Sequence, residues 1–240
     1  MKNPTASMIV IGDEILSGRT SDININFLAK KLFKIGIELI EVRIVKDCKK
    51  SIIDAVVQFS KSFDYVFTCG GIGPTHDDIT TVSIAQAFDR EIAIHEEARE
   101  KLTYFYAKNG KKLNPDSLRM AMIPIGASLI NNNLTGAPGY KIENVYVMAG
   151  VPKIFKAMVS SILPNLKTGK PILTKNHSFF IGESEIASPL KELLEEFSNL
   201  KIGSYPFSKG KKSGVNVVFS GRDSEILELA LFKLKSTLEK

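Results

Sequence analysis

The stretch Tyr65-Val66-Phe67-Thr68-Cys69-Gly70-Gly71-Ile72-Gly73-Pro74-Thr75-His76-Asp77-Asp78 changes character at Gly70. Up to Cys69 it is β-branched and aromatic, as a buried strand should be. From Gly70 onward it holds glycines, a proline and two adjacent carboxylates, and a helical pattern near Thr80 to Phe88 follows. Strand, glycine-rich turn, helix is the unit of an open parallel sheet, in which ligands bind beyond the carboxyl ends of the strands. Glycine allows positive φ and lets backbone N–H groups approach a ligand with no Cβ in the way. A helix start adds unpaired N–H donors and the positive end of its dipole, so the segment reads as an anion site.

Gly70-Gly71-Ile72-Gly73 lacks the spacing of the dinucleotide fingerprint, and no Lys-Ser/Thr follows as in the Walker loop. A competing reading is a tight turn in which Thr75, Asp77 or Asp78 merely caps the helix. Capping needs one short polar side chain, however, and a second carboxylate beside it adds repulsion. Two carboxylates near an anion make sense if a hard divalent cation bridges them to phosphate oxygens. Asp77 and Asp78 are therefore metal candidates.

Upstream, the apolar run Met8 to Ile11 predicts a strand ending at Gly12-Asp13-Glu14-Ile15-Leu16-Ser17-Gly18. Its loop opens on the same sheet edge, so Asp13 and Glu14 are placed to face the ligand, with Asn24 as a neutral hydrogen-bonding neighbour. Taken singly, each such residue is more often a cap or a solvated loop residue. Ile25, Leu28, Leu32 and Ile35 mark a helix closed by Gly36, and Ile37 to Val45 the next strand. Ser51 and Asp54 have capping-box spacing and predict the start of a helix that turns Ile52, Ile53, Val56, Val57 and Phe59 inward.

A helix near Glu96 to Lys108 follows, then an irregular portion from Asn109 to Tyr140. Next come a strand at Val145 to Met148 and a helix that Pro152 opens, running to Leu163. This alternation predicts an α/β fold with a mainly parallel sheet covered on both faces, hence three layers. Lys167 to Pro171 has linker composition. Beyond it the pattern is strand Ile172 to Ile181, helix Glu183 to Phe197, strand Lys201 to Phe207, strand Val215 to Ser220 and helix Asp223 to Leu238. The expected domains are residues 1–168, and a small βαββα second domain over residues 169–240 that leans on the first or on another subunit.

At 240 residues, 44% hydrophobic and 24% charged, the composition is that of a folded globular protein. No segment reaches the roughly 20 apolar residues of a membrane span, and the N-terminal run is too short for a signal peptide. Two cysteines, Cys48 and Cys69, without a disulfide framework, fit a reducing cytoplasm. Cys69 reads as a small buried hydrophobe. The net charge of +6 is spread along the chain. Its densest group, Lys209, Lys211 and Lys212, reads as a hairpin tip, so nucleic acid is not the expected partner.

Asn133-Leu134-Thr135-Gly136-Ala137-Pro138-Gly139 and Ala149-Gly150-Val151-Pro152 add small residues in ordered loops, which suit close packing or close approach to a ligand. The ordered set Gly12-Asp13-Glu14 with Gly18 and Asn24, Gly-Gly-Ile-Gly-Pro-Thr-x-Asp-Asp, Thr-Gly-Ala-Pro-Gly and Gly-Val-Pro resembles the N-terminal part of the CinA (competence/damage-inducible protein A) family. The resemblance covers nearly the whole chain, including Gly182-Glu183-Ser184-Glu185 in the second unit.

The resemblance implies a molybdopterin-binding fold of the MoaB/Mog type, found also in eukaryotic FAD synthases. It further implies metal-dependent hydrolysis of the pyrophosphate of ADP-ribose or a related dinucleotide, a nucleotide pyrophosphatase activity stimulated by potassium. Its cofactor would be a divalent cation, magnesium, cobalt or manganese. On matching positions the ligand loop is Gly70, Gly71, Gly73, Pro74 and Thr75, joined by Gly12, Asp13, Asn24, Gly136, Pro138 and Gly150. The catalytic and metal-binding acids are Glu14, Asp77 and Asp78. Ala149 departs from the family's usual proline. The sequence ends at Lys240, where full-length relatives continue into a nicotinamide-mononucleotide amidohydrolase domain, so that activity is expected to be absent. The expected partner is a small nucleotide or pterin ligand, on a homo-oligomer (dimer or trimer). The alternative is a non-catalytic binding protein in cofactor handling, and a weaker one makes the βαββα unit an interaction module.

Overall fold

The computed structural model describes residues 3–210 and 212–238, so Lys211 of the expected hairpin tip lies outside the described residues. The chain forms two units, Met1–Gly169 and Lys170–Lys240.

The first unit is built on β1 (Thr5–Ile11), which is buried on both faces. Its residues alternate between two cores. Ile9 and Ile11 join one, with Val56, Phe59 and Val147. Ala6, Met8 and Val10 join the other, with Leu28, Leu32 and Phe155. That alternation follows from the period of two along a strand, and it is why a central strand reads as one continuous apolar run. After β1 come a one-turn α1 (Asp13–Leu16), α2 (Asn24–Lys34), β2 (Glu38–Val45), α3 (Lys49–Ser62) and β3 (Tyr65–Cys69). The chain continues through α4 (Thr80–Ala87), β4 (Ile92–Ile94), α5 (Glu96–Lys108), α6 (Pro115–Leu118), β5 (Met122–Pro124), β6 (Ser128–Ile130), β7 (Gly139–Ile142), β8 (Val145–Met148) and α7 (Pro152–Ile162).

The main sheet has the order β2-β1-β3-β8-β7-β6. Its first four strands are parallel, with Met8 opposite both Val42 and Phe67, and Val66 opposite Val145. Strands β7 and β6 extend it antiparallel. Helices α2 and α7 contribute to one core and α3, α4 and α5 to the other, giving the mainly parallel three-layer α/β fold.

Three local expectations change. Helix α3 begins at Lys49, ahead of Ser51, and Asp54 pairs with Lys50 at 2.7 Å, so Ser51 and Asp54 are interior residues of the first turns and not a capping box. Helix α4 begins at Thr80, and no side chain caps it. The segment from Asn109 to Tyr140 is not irregular throughout. Asn114 caps α6 by accepting the Ser117 N–H at 2.8 Å, and β5 pairs antiparallel with β4. Three-residue strands are too short to show a period, which is why the sequence hides them.

The second unit comprises β9 (Leu173–Phe179), α8 (Glu183–Glu196), β10 (Lys201–Lys209), β11 (Lys212–Gly221) and α9 (Ser224–Leu238). The strands form an antiparallel sheet ordered β10-β11-β9. Val215, Val217 and Phe219 alternate inward from β11 and pack with Ile186, Leu193, Leu227 and Ala230 of the helices. The Gly182 N–H donates to Glu185 Oε1 at 2.8 Å, closing the start of α8. Among the described residues no helix is long and apolar enough to cross a membrane.

Candidate ligand-binding site

Because β1 and β3 are parallel neighbours, the loops leaving them emerge side by side. They touch closely enough that glycine is required. At Gly70 φ is +112° and a Cβ would strike the carbonyl oxygen of Ile11. At Gly71 φ is +66° and a Cβ would strike the hydroxyl of Thr80. That hydroxyl is buried and donates to the Gly70 carbonyl at 2.9 Å, while the Thr80 N–H donates to the Gly71 carbonyl at 3.0 Å. The start of α4 is thereby clamped onto the loop. The loop after β8 closes in from the other neighbour, where a Cβ on Gly150 would lie 3.3 Å from the Cα of Gly70.

The backbone donors of the loop divide into two groups. Asp78 folds back so that its Oδ2 accepts the Thr75 N–H at 2.8 Å and the Thr75 hydroxyl at 2.5 Å. The Thr75 amide is therefore committed, and Pro74 has none. The N–H groups of Gly71, Ile72 and Gly73 have no acceptor among the described residues, and all three residues line a cavity. The free donors span Gly71 to Gly73, a shorter set than the run to Thr75 that the motif suggests. Half-buried amides without an acceptor are what an anion site needs.

The cavity measures about 590 Å³. Its polar wall carries Gly12, Glu14, Asp47, Asp77 and Asp78, and its apolar wall includes Phe105, Tyr106, Met120, Ile154 and Met158. This combination suits a ligand with a flat ring system at one end and phosphate at the other. The Glu14 carboxylate lies over Gly12, where a Cβ would stand 2.6 Å from its Oε1. Asp47 Oδ2 accepts the Asp13 N–H at 2.9 Å. Burial raises the Asp47 pKa above its ordinary value, and the charges of Asp13, Glu14 and Asp77 add to the rise against the bond from Asp13. The Thr75 hydroxyl, the residue's own N–H and His76 hold the Asp77 carboxyl below its ordinary range.

Several expected site residues stand elsewhere. Gly12, Glu14, Gly70, Gly71, Gly73, Pro74, Asp77, Asp78, Pro138 and Gly150 line the cavity, whereas Asp13, Asn24, Thr75 and Gly136 do not. Asn24 is buried behind the loops, where its Nδ2 donates to the Gly150 carbonyl at 2.8 Å and to Cys69 Sγ at 3.1 Å. It positions the Gly150 loop. Thr75 braces Asp78, Asp13 serves through its backbone, and Gly136 packs on Phe105. Asp47 was missed by sequence reasoning. It lies just after β2, and a lone aspartate two residues before a helix carries no signal until the sheet order puts that strand end beside β1.

Carboxylates and phosphate oxygens are the donors that a hard divalent cation takes. Among the described residues no three acidic, histidine or cysteine side chains stand together as a ready cation site. The set still fits such an ion in the manner of magnesium, which is held by one or two carboxylates and completed by substrate phosphates and water.

The fold and this edge define a class: an α/β ligand-binding protein with a glycine-rich anion loop at the carboxyl ends of parallel strands. The chain belongs to the family of the probable molybdopterin binding domain, which matches residues 7–168, and it is of the CinA N-terminal type. Residues 171–240 match the middle domain of FAD synthase. A protein of Pyrococcus abyssi is 34% identical over 96% of each chain. A probable FAD synthase of Caenorhabditis elegans is 29% identical over 98% of this chain and 50% of its own length. A putative competence-damage inducible protein of Clostridioides difficile is 32% identical over 83% of this chain and 50% of its own. The present chain thus corresponds to about half of those two relatives. The crystal structure of CinA from Thermoplasma acidophilum, described as of unknown function, superimposes with a TM-score of 0.62 at 30% identity, covering 69% of this chain and 99% of that one.

Proposed function

We propose that the protein hydrolyses the pyrophosphate bond of ADP-ribose or a related dinucleotide, with a divalent cation, and potassium as a stimulant. The observation that carries this reading is the pairing, in one cavity, of three uncommitted loop amides with the carboxylates of Glu14, Asp47, Asp77 and Asp78. The N–H groups of Gly71, Ile72 and Gly73 hold one phosphate, and Phe105, Tyr106 and Met120 shield the ring system from water. Asp78, with Asp77 or Glu14, holds the cation. When bound, that ion neutralises charge that develops on the phosphate oxygens.

Asp47 completes the proposed reaction. Its Oδ2 is fixed by the Asp13 N–H, and its raised pKa makes it a better proton acceptor than an ordinary aspartate. Oδ1 takes a proton from the attacking water as the oxygen bonds to phosphorus. The bond from phosphorus to the bridging oxygen breaks, and the second phosphate leaves with that oxygen. The products are two monophosphates.

A second reading, ligand binding without hydrolysis, is favoured by the lack of three converging acids among the described residues. One experiment separates the two. The purified chain is incubated with ADP-ribose or FAD and magnesium, cobalt or manganese, with and without potassium, and AMP is followed chromatographically. Hydrolysis predicts AMP release that falls on the order of 100- to 1,000-fold in Asp78→Asn. Tight nucleotide binding with no AMP under any of these metals refutes hydrolysis and leaves the binding reading.

A further inference from the structure

Both helices of the second unit pack on one side of its sheet, the side to which Val215, Val217 and Phe219 turn. The alternate residues of β11, with their neighbours on β9 and β10, form the opposite face. There Tyr205 of β10 stands in register with Asn216 of β11 and Ser178 of β9. The next outward row carries Phe207 and, just past the end of β9, Phe180, whose rings meet edge to face at 5.8 Å. Tyr205 is 58% exposed and Phe180 63%. The Tyr205 ring lies over Gly203, where a Cβ would stand 2.9 Å from its hydroxyl oxygen, so the glycine gives the ring its room. Charge on this sheet has one sign. No aspartate or glutamate occurs in β9, β10 or β11, and the described acids of the unit lie on α8, on α9 and in the turn before α9. Lysines that look dispersed in the sequence are gathered by strand pairing: Lys209 stands opposite Lys212 at one end of the face, and Lys201 stands at the other. Lys212 Nζ lies 5.5 Å from the centroid of the Phe180 ring.

We propose that this open face binds a single strand of RNA. Bases stack on Tyr205 and on the Phe180–Phe207 pair, Lys201, Lys209 and Lys212 meet phosphates, and the side chains of Asn216 and Ser178 hydrogen-bond 2′-hydroxyls. Exposed rings on a sheet with a basic rim are how single strands are held. Successive outward rows lie about 7 Å apart along a strand, roughly twice the 3.4 Å step between stacked bases. Neighbouring bases therefore reach both platforms only when unstacked from one another, which a duplex does not allow. A face that carries only positive charge repels a second copy of itself. A lipid surface would meet Asn216, Ser178 and Thr174 where it needs apolar side chains. The hydroxyl and amide groups beside Tyr205 favour RNA over DNA, because the 2′-hydroxyl both donates and accepts. This inference is independent of the ligand cavity in the first unit.

The test uses the full chain and fluorescein-labelled oligouridine of about ten nucleotides, within the usual site size of one such module. Fluorescence anisotropy is read at about 50 mM and about 200 mM salt. The wild type should bind, with a DNA strand of the same length several-fold weaker. Tyr205→Ala should weaken binding roughly 5- to 100-fold, while Tyr205→Phe, which keeps the ring, binds as the wild type does. Lys209→Gln combined with Lys212→Gln should flatten the logarithmic salt dependence by about 1.4, two phosphate contacts' worth. Tyr205 is exposed, so circular dichroism melts of Tyr205→Ala should match the wild type, and AMP release from ADP-ribose should be unchanged in it. Absence of binding at the lower salt overturns the proposal. Equal binding by Tyr205→Ala and the wild type does so too, because charge alone would then explain the affinity. Equal affinity for the DNA strand or for a duplex overturns the choice of single-stranded RNA. Size-exclusion chromatography in which Tyr205→Ala turns a dimer into a monomer would show that a second copy covers the face, and would also overturn it.

Discussion

Replacing Gly71 by alanine tests whether the loop's conformation is imposed by its packing. The position has φ +66°, and an alanine there costs about 1–2 kcal/mol for occupying left-handed backbone. The new Cβ also meets the Thr80 hydroxyl and has to displace it from its buried bond to the Gly70 carbonyl, which adds about 1–3 kcal/mol. The sum is a loss of roughly 2–5 kcal/mol, a large share of the stability of a domain of this size. Urea unfolding followed by circular dichroism measures it, together with Thr80→Ala and the double variant. Thr80→Ala removes both the hydroxyl that is struck and the bond that is broken, so the double variant should be less destabilised than the two singles added, by at least 1 kcal/mol or so. AMP affinity should fall in Gly71→Ala, because relieving the clash with Thr80 shifts the backbone and with it the Gly71 N–H, one of the three donors. A loss under about 1 kcal/mol, or full additivity, would show that the loop has room for a side chain and that the clamp on Thr80 does not exist.

Other outcomes follow from the thiols and the acids. Burial pushes the Cys69 thiol up to about 12, whereas hydrogen bonds from Ser51 lower that of exposed Cys48. An aromatic disulfide reagent at neutral pH should therefore titrate one thiol in the native chain and two after denaturation. Rapid titration of both in the native protein would contradict the burial of Cys69. Asp47 has a native pKa above that of the unfolded chain, so the native state holds its proton more tightly. Its contribution is fully present below the ordinary value of 3.8 and is lost as pH rises through the native value. Asp47→Asn should flatten that decline in melts taken from pH 3.8 upward, and an unchanged slope would remove the strain assigned to the acidic wall. The same variant should lose turnover while keeping AMP binding, and retained hydrolysis would exclude Asp47 as the proton acceptor.

How much could be read from residue order differs between fold and site. The strand ending at Cys69, the turn at Gly70 and the helix behind it were legible because a β-branched run, glycines and helical spacing are local signals. The same holds for β1 and the α2 and α7 helices, whose apolar positions repeat with a clear period. The start of α3 is not legible locally, since Ser51 and Asp54 have the spacing of a capping box but lie inside the helix. Strands β4, β5 and β6 went unseen, because three residues show no period and their pairing is a matter of distant partners.

Composition and local pattern alone settled that this chain makes an α/β sheet with a glycine-rich turn at a strand end, because backbone preference and periodicity act over a few residues. Which atoms of that turn remain free was decided by folding. Asp78 captures the Thr75 amide, Asn24 is drawn behind the loops, and Asp47 arrives beside Glu14 from a strand many residues away. Hydrogen-bond partners and field strength depend on through-space neighbours, and a linear chain does not display those until the strands have taken their order in the sheet.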